Sequence, residues 1–232
     1  LATLATLATF RHFGSPKGDL DMSMFSPHAR RVDPSHTELI HALIRYHAEG
    51  AYQRDLATVG LGAVDKLKAL PAGGKKRALV LDIDETSLLN DWPKLVSPDR
   101  KAYDPVAWQA WIESASAPAV GRTLELFDTA RGLGLEVFFI TGRHPEVLPA
   151  TERNLLRVGY KGWSEIICEP LSGPPPGVPT FPTAAAFKTA ARWGLSARGY
   201  QIVLSVGDQE SDLAGGYADA TVRLPNPFYT VL

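Results

Sequence analysis

The chain has 232 residues, 24 Lys and Arg against 25 Asp and Glu, a formal net charge of −1 and 45% hydrophobic residues, a profile that allows one large domain or a domain with a sizeable insert. Near-neutral charge argues against a protein that wraps a nucleic-acid polymer, and no run of about 18 apolar residues offers a transmembrane segment. The single cysteine, Cys168, can form neither an internal disulfide nor a cysteine-based zinc site alone.

Leu1 to Phe10 repeats Leu-Ala-Thr without an initiating Met or a preceding basic stretch, and reads either as the remnant of a removed leader or as an unstructured tail. Gly, Pro, Ser and scattered charge follow without periodicity, so residues 1–34 are expected to be an extended or disordered arm. Ser35-x-x-Glu38 fits a capping box ahead of Leu39, Leu43 and Ile44, and predicts a helix that Gly50 breaks. A second helix carries Ala57, Leu61, Val64 and Leu67 and closes at Pro71, Gly73 and Gly74.

The unbroken apolar run from Arg77 to Asp84 reads as a strand buried on both faces of a parallel sheet. Similar strands are expected at Leu135–Thr141, Glu165–Cys168 and Tyr200–Val206. Helices between them surround Leu124 and Phe127, start at Pro145 and close at Gly159, and run from a Thr183 cap to Gly194. This alternation implies an α/β fold, a Rossmann-like parallel sheet with helices on both faces. Residues 88–118 break the rhythm with Trp92, Trp108 and Trp111 and read as a small cap insert over the carboxyl edge of the sheet; Pro170 to Pro182 reads as a connecting loop.

Candidate chemistry collects at the strand ends, where open α/β sheets bind ligands. Asp82 and Asp84 follow the first strand two residues apart; repulsion between close carboxylates raises one apparent pKa, which leaves one as nucleophile or metal ligand and the other as an acid. Thr141 and Gly142 offer a hydroxyl and approachable backbone amides to a phosphate oxygen, and Lys188 a neutralising cation. Asp208 and Asp212 supply hard oxygen ligands for Mg²⁺. Arg143, His144 and Arg192 are additional phosphate contacts or simply surface charge.

Asp82-x-Asp84-Glu-Thr86, Ile140-Thr141-Gly142-Arg143, Lys188 and Gly207-Asp208-x-x-Ser211-Asp212, in that order, resemble the four motifs of the haloacid dehalogenase-like (HAD) superfamily. Asn90, Asp104 to Trp111, Thr151 to Leu155 and Leu224-Pro225-Asn226-Pro227 narrow the resemblance to the branch with class B and class C acid phosphatases and plant vegetative storage proteins. The resemblance implies one phosphatase domain over residues 35–232 that hydrolyses small phosphate esters, nucleoside monophosphates among them, with an acid pH optimum. It implies Asp82 as the nucleophile that forms an aspartyl phosphate and Asp84 as the acid and base. Thr141, Gly142, Lys188, Arg143 and Trp92 would bind substrate, and Mg²⁺ would be held by Asp82, the Asp84 backbone carbonyl, Asp208 and Asp212. Trp92 stands where the family leads one to expect Tyr, and Gln209-Glu210 resembles the storage proteins, so a non-catalytic storage or binding protein of the same fold is the second reading. A phosphoacceptor domain or a dehalogenase fits less well, because neither needs the acid at Asp84. The resemblance further implies a periplasmic or secreted protein, with a cytoplasmic one as the alternative, and the aromatic insert is compatible with a homodimer.

Overall fold

The computed structural model describes residues 34–70, 76–90, 105–170 and 180–229. Residues 1–33 of the expected arm, Trp92 and most of the proline-rich loop lie outside these residues, and Pro34, expected in the arm, begins the first helix. Two helices lead the fold, α1 (Pro34–Ala48) and α2 (Ala51–Lys68), joined at Gly50, whose φ of 69° is the left-handed turn that a side chain would strain. Helix α1 starts at Pro34, so Ser35 lies inside the helix and not at its cap.

The sheet contains β1 (Arg77–Leu81), β2 (Glu136–Thr141), β3 (Glu165–Cys168), β4 (Gln201–Gly207) and β5 (Thr221–Arg223). All neighbours pair in parallel, in the spatial order β3, β2, β1, β4, β5. Four strands were expected. The fifth is three residues long with only Val222 buried, too short to carry a pattern of its own.

Helix α3 (Pro105–Glu113) belongs to the insert; α4 (Gly121–Gly132), α5 (Leu148–Val158) and α6 (Ala184–Ala197) link the strands. Pro145 opens a short 3-10 turn ahead of α5, and Gly159 at φ 114° ends that helix. Thr183 caps α6 by accepting the Ala186 amide at 3.1 Å, but the helix continues past Gly194 to Ala197.

Why the β1 run is apolar throughout is visible in the core. Leu79 and Leu81 pack with Leu56, Val64, Leu126 and Phe127 on one face, whereas Ala78 and Val80 pack with Phe187 and Leu195 of α6 on the other. Strand β1 stops at Leu81, earlier than the apolar run suggested, so Asp82 and Asp84 sit on a loop and not in the ladder. The chain leaves β1 toward β2 and β3, then returns to add β4 and β5 on the opposite side. The cleft outside the carboxyl ends of β1 and β4 is therefore a topological switch point, the usual place for a ligand in an open parallel sheet.

Candidate active site

Asp82 leaves β1 with its amide still donating to Val206 O at 3.0 Å, so the loop departs from the centre of the sheet. The turn after it folds back on Ile83, whose carbonyl accepts the Ser87 and Leu88 amides at 2.8 Å each. Glu85 in this turn takes φ 54°, unusual for a residue with a side chain. This tight turn separates two carboxylates that would share one face in a continuous strand. Asp82 faces β4 and α6; Asp84 faces the loop after β2.

On the first side Lys188 Nζ donates to Asp82 Oδ1 at 2.8 Å and also to Asp212 Oδ1. Asp208 receives Thr86 Oγ1 at 3.1 Å, Asn226 Nδ2 at 2.7 Å and Gln209 Nε2. The Gln209 amide donates to Asp212 Oδ2 at 2.8 Å and fixes that carboxylate over the end of β4. Gly207 makes this approach possible, since a Cβ there would lie 2.2 Å from Asp212 Cβ.

Asp82, Asp208 and Asp212 each offer an oxygen within 4.8 Å of the other two, and all three are buried. Burial, then the nearby Asp212 charge, pushes the Asp82 carboxyl well above the usual range despite Lys188. Burial, with Asp212 and Glu85, pushes Asp208 up to about 7. Three buried carboxylates against one ammonium leave a surplus of negative charge ringed by hard oxygen donors, which fits a small divalent cation.

Around Asp84 the charge is already balanced. Arg143 grips it with two donors, Nε to Oδ2 at 3.0 Å and Nη2 to Oδ1 at 2.6 Å, while Asn90 Nδ2 reaches Oδ1 at 3.1 Å. Arg143 is held in turn by Nη1 donating to Thr151 Oγ1 at 3.1 Å. Burial works to raise the Asp84 pKa, but the Arg143 charge and the hydrogen bonds from Arg143 and Asn90 outweigh it and hold the carboxyl below its usual value. The expectation that Asp84 serves a metal through its backbone is compatible with this arrangement, because its carboxylate is turned away from the other three.

The remaining expected residues fall into place around these groups. Thr141 ends β2, fully buried, and its Oγ1 accepts the Arg143 amide at 3.2 Å; Gly142 beside it is exposed. Arg143 meets Asp84 and is not left open as a surface charge. Exposed His144 turns its Nδ1 to Glu169 O at 3.1 Å. Arg192 departs from both of its expected roles: it is 1% exposed and donates to the carbonyls of Asp212, Gly216 and Ala214, which staples the loop bearing Asp212 to α6.

Sequence reasoning missed how Asp84 and Asp208 are held. Asn90 and Asn226 stood out only as marks of a resemblance, and Thr86 and Gln209 only as members of motifs. Tyr229 donates from its hydroxyl to Glu85 Oε2 at 2.7 Å from a tail with no local pattern.

Comparison with known proteins bears on this geometry. The family model described as HAD superfamily, subfamily IIIB (Acid phosphatase) matches residues 25–232. The chain is 32% identical over 197 residues to the stem 28 kDa glycoprotein of Glycine max, covering 84% of this chain and 75% of that one. It is also 32% identical over 192 residues to acid phosphatase 1 of Solanum lycopersicum, covering 81% and 72%. The class C acid phosphatase from Bacillus anthracis superposes with a TM-score of 0.67 over 83% of this chain and 85% of that chain at 24% identity, which establishes the shared fold.

Proposed function

The chain belongs to subfamily IIIB of the HAD superfamily, the acid phosphatases, and from that premise we propose that it hydrolyses small phosphate monoesters with Mg²⁺ through an aspartyl phosphate on Asp82. The observation that carries the proposal is the opposite treatment of two carboxylates two residues apart: Asp82 in an acidic cluster that fits a cation, Asp84 in a separate cradle of donors.

Asp82, Asp208 and Asp212 would hold the cation, and when bound it supplies the positive charge that keeps Asp82 ionised and offsets charge on the phosphoryl oxygens. A carboxylate oxygen of Asp82 attacks phosphorus and forms the O–P bond as the bond to the ester oxygen breaks. Asp84 gives its proton to that departing oxygen, which leaves as an alcohol. A water then attacks phosphorus, Asp84 takes the proton, and phosphate and free Asp82 result. Lys188 donates to the nucleophile and Thr141 ends the neighbouring strand β2, and in this reading their ammonium and hydroxyl stabilise charge on the transferring group.

The Arg143 clamp suits the second half of this cycle, because it holds Asp84 as a carboxylate ready to accept a proton. The first half needs Asp84 protonated, so turnover should fall as pH rises above the acid range. Exposed phosphate esters such as nucleoside monophosphates are the proposed substrates, and kinship with a plant glycoprotein supports a place on the secretory route.

The test is hydrolysis of p-nitrophenyl phosphate between pH 5 and 8, with Mg²⁺ and with EDTA. The proposal expects metal-dependent release of phosphate, strongest at acid pH. A folded chain that releases no phosphate from this or a broad panel of esters would overturn it and favour a storage protein of the same fold.

A further inference from the structure

Asn90 stands between the insert and Asp84. Its side chain is 1% exposed and makes three side-chain contacts. Trp111 Nε1 on α3 donates to Asn90 Oδ1 at 2.7 Å, and Asn90 Nδ2 donates to Glu85 Oε1 at 2.8 Å and to Asp84 Oδ1 at 3.1 Å. The indole N–H can only donate, so it fixes the amide oxygen on its own side and forces the NH₂ toward the carboxylates. The two carboxylates select the same orientation, since the flipped form would turn an oxygen toward both, and the indole adds the anchor on the other end that ties this amide to the insert.

The backbone on both sides of the insert is pinned to the same loop. The Leu89 amide donates to Pro118 O at 2.8 Å, the Val120 amide to Ser87 O at 3.0 Å, and the Asn90 amide to Glu85 Oε1 at 3.0 Å. Helix α3 packs against α5 and the 3-10 turn that precedes it. Among the described residues, the Trp111 indole and the Asn90 amide make a polar connection from α3 to the carboxylate loop.

We propose that Trp111 and Asn90 are positioning residues, a two-step relay through which the insert sets the orientation of Asp84 against the ester oxygen. The proposal rests on the general-acid reading of Asp84. Arg143 supplies the charge that Asp84 needs, and the relay supplies its angle: Asn90 and Arg143 Nη2 share Oδ1, whereas Oδ2 has only Arg143 Nε. Loss of the relay lets the carboxyl pivot about the guanidinium.

Proton donation matters most when the leaving oxygen is basic, and least for p-nitrophenolate, which departs readily as an anion. The experiment measures kcat and KM with Mg²⁺ for aryl and alkyl phosphates of increasing leaving-group pKa, on wild type, Trp111→Phe and Asp84→Asn. Trp111→Phe keeps an aromatic ring and removes the N–H. The relay predicts a loss in kcat/KM, which reports the phosphorylation half alone, of about 10-fold on alkyl phosphates, a fraction of the roughly 10²–10⁴-fold worth of a general acid, with no more than about twofold on p-nitrophenyl phosphate.

A uniform loss across the series, or none, overturns the relay. Asp84→Asn separates the two levels of the argument: if it steepens leaving-group dependence and Trp111→Phe does not, the relay alone fails. If Asp84→Asn leaves the slope unchanged, the general-acid reading fails and the relay with it. Should Trp111→Phe not fold, Asn90→Ser read on the same slope decides in its place.

Discussion

The two sides of the carboxylate loop solve opposite electrostatic problems. Around Asp82 the fold gathers three buried carboxylates and supplies one ammonium; around Asp84 it pairs one carboxylate with one guanidinium and adds an amide. One side is left short of positive charge; on the other, Asp84 has a cation of its own. A D-x-D pair is therefore two sites back to back, and the tight turn through Glu85 keeps them apart. In the proposed reaction the acidic side serves a cation and the nucleophile, and the Arg143 side serves the proton.

The sharpest way to break this comparison is at the nucleophile. Asp82→Asn keeps the volume and removes the attacking oxygen's charge, and turnover should fall by about 10⁴-fold or more, as for other members of a catalytic unit. The variant should stay folded by circular dichroism; a variant that retains more than a few per cent of wild-type kcat would show that the two carboxylates are not divided as described.

Removing the single cation on the acidic side should cost stability as well. Lys188→Met leaves Asp82 and Asp212 buried without their partner, and breaking such an interaction costs about 3–5 kcal/mol. Urea unfolding without added metal measures the loss, and added Mg²⁺ should recover part of it.

The pH dependence of the metal-free chain follows from the raised carboxyls. Asp82 and Asp208 have folded pKa values above the unfolded one, so their favourable contribution is complete below about pH 4; that of Asp208 is lost as pH rises through about 7, and that of Asp82 as pH rises through its own raised folded value. Asp84 has the opposite sign, and its contribution disappears only under more acid conditions. A cation should reverse the loss, by about 2.7 kcal/mol at one hundred times its Kd, and more strongly at pH 7 than at pH 5, where it must displace protons. Urea midpoints at both pH values with and without Mg²⁺ check this, and equal effects would count against a carboxylate-lined metal site.

The smallest of these effects is steric. Gly207→Ala places a Cβ against Asp212, and such overpacking costs about 1–3 kcal/mol. Metal affinity by calorimetry should drop by more than the stability loss explains, because the displaced group is a proposed ligand.

What could be read from the chain was what local pattern encodes. An apolar run followed by Asp82 and Asp84, and glycine-marked loops ahead of Arg143 and Asp208, locate the strand ends without knowledge of the fold. The central strands and the α/β alternation were legible for the same reason, since burial on two faces leaves continuous apolar segments. Partnerships across loops were not. Arg143 meets Asp84 over 59 positions, Asn226 reaches Asp208 over 18, and Trp111 finds Asn90 over 21, none at a helical or strand period. Arg192 resembled surface charge because nothing in its helix tells that three carbonyls surround it. The strand Thr221–Arg223 depends on β4 for its existence and has no pattern of its own.

The most direct test of the division between Asp82 and Asp84 is to trap the intermediate. Asp84→Asn should still accept a phosphoryl group from p-nitrophenyl phosphate in the presence of Mg²⁺ but lack the base that clears it. Acid quench, borohydride reduction and peptide mass spectrometry should then find homoserine at position 82. Homoserine at another aspartate, or none at any aspartate in a variant that still releases p-nitrophenol, would contradict the account.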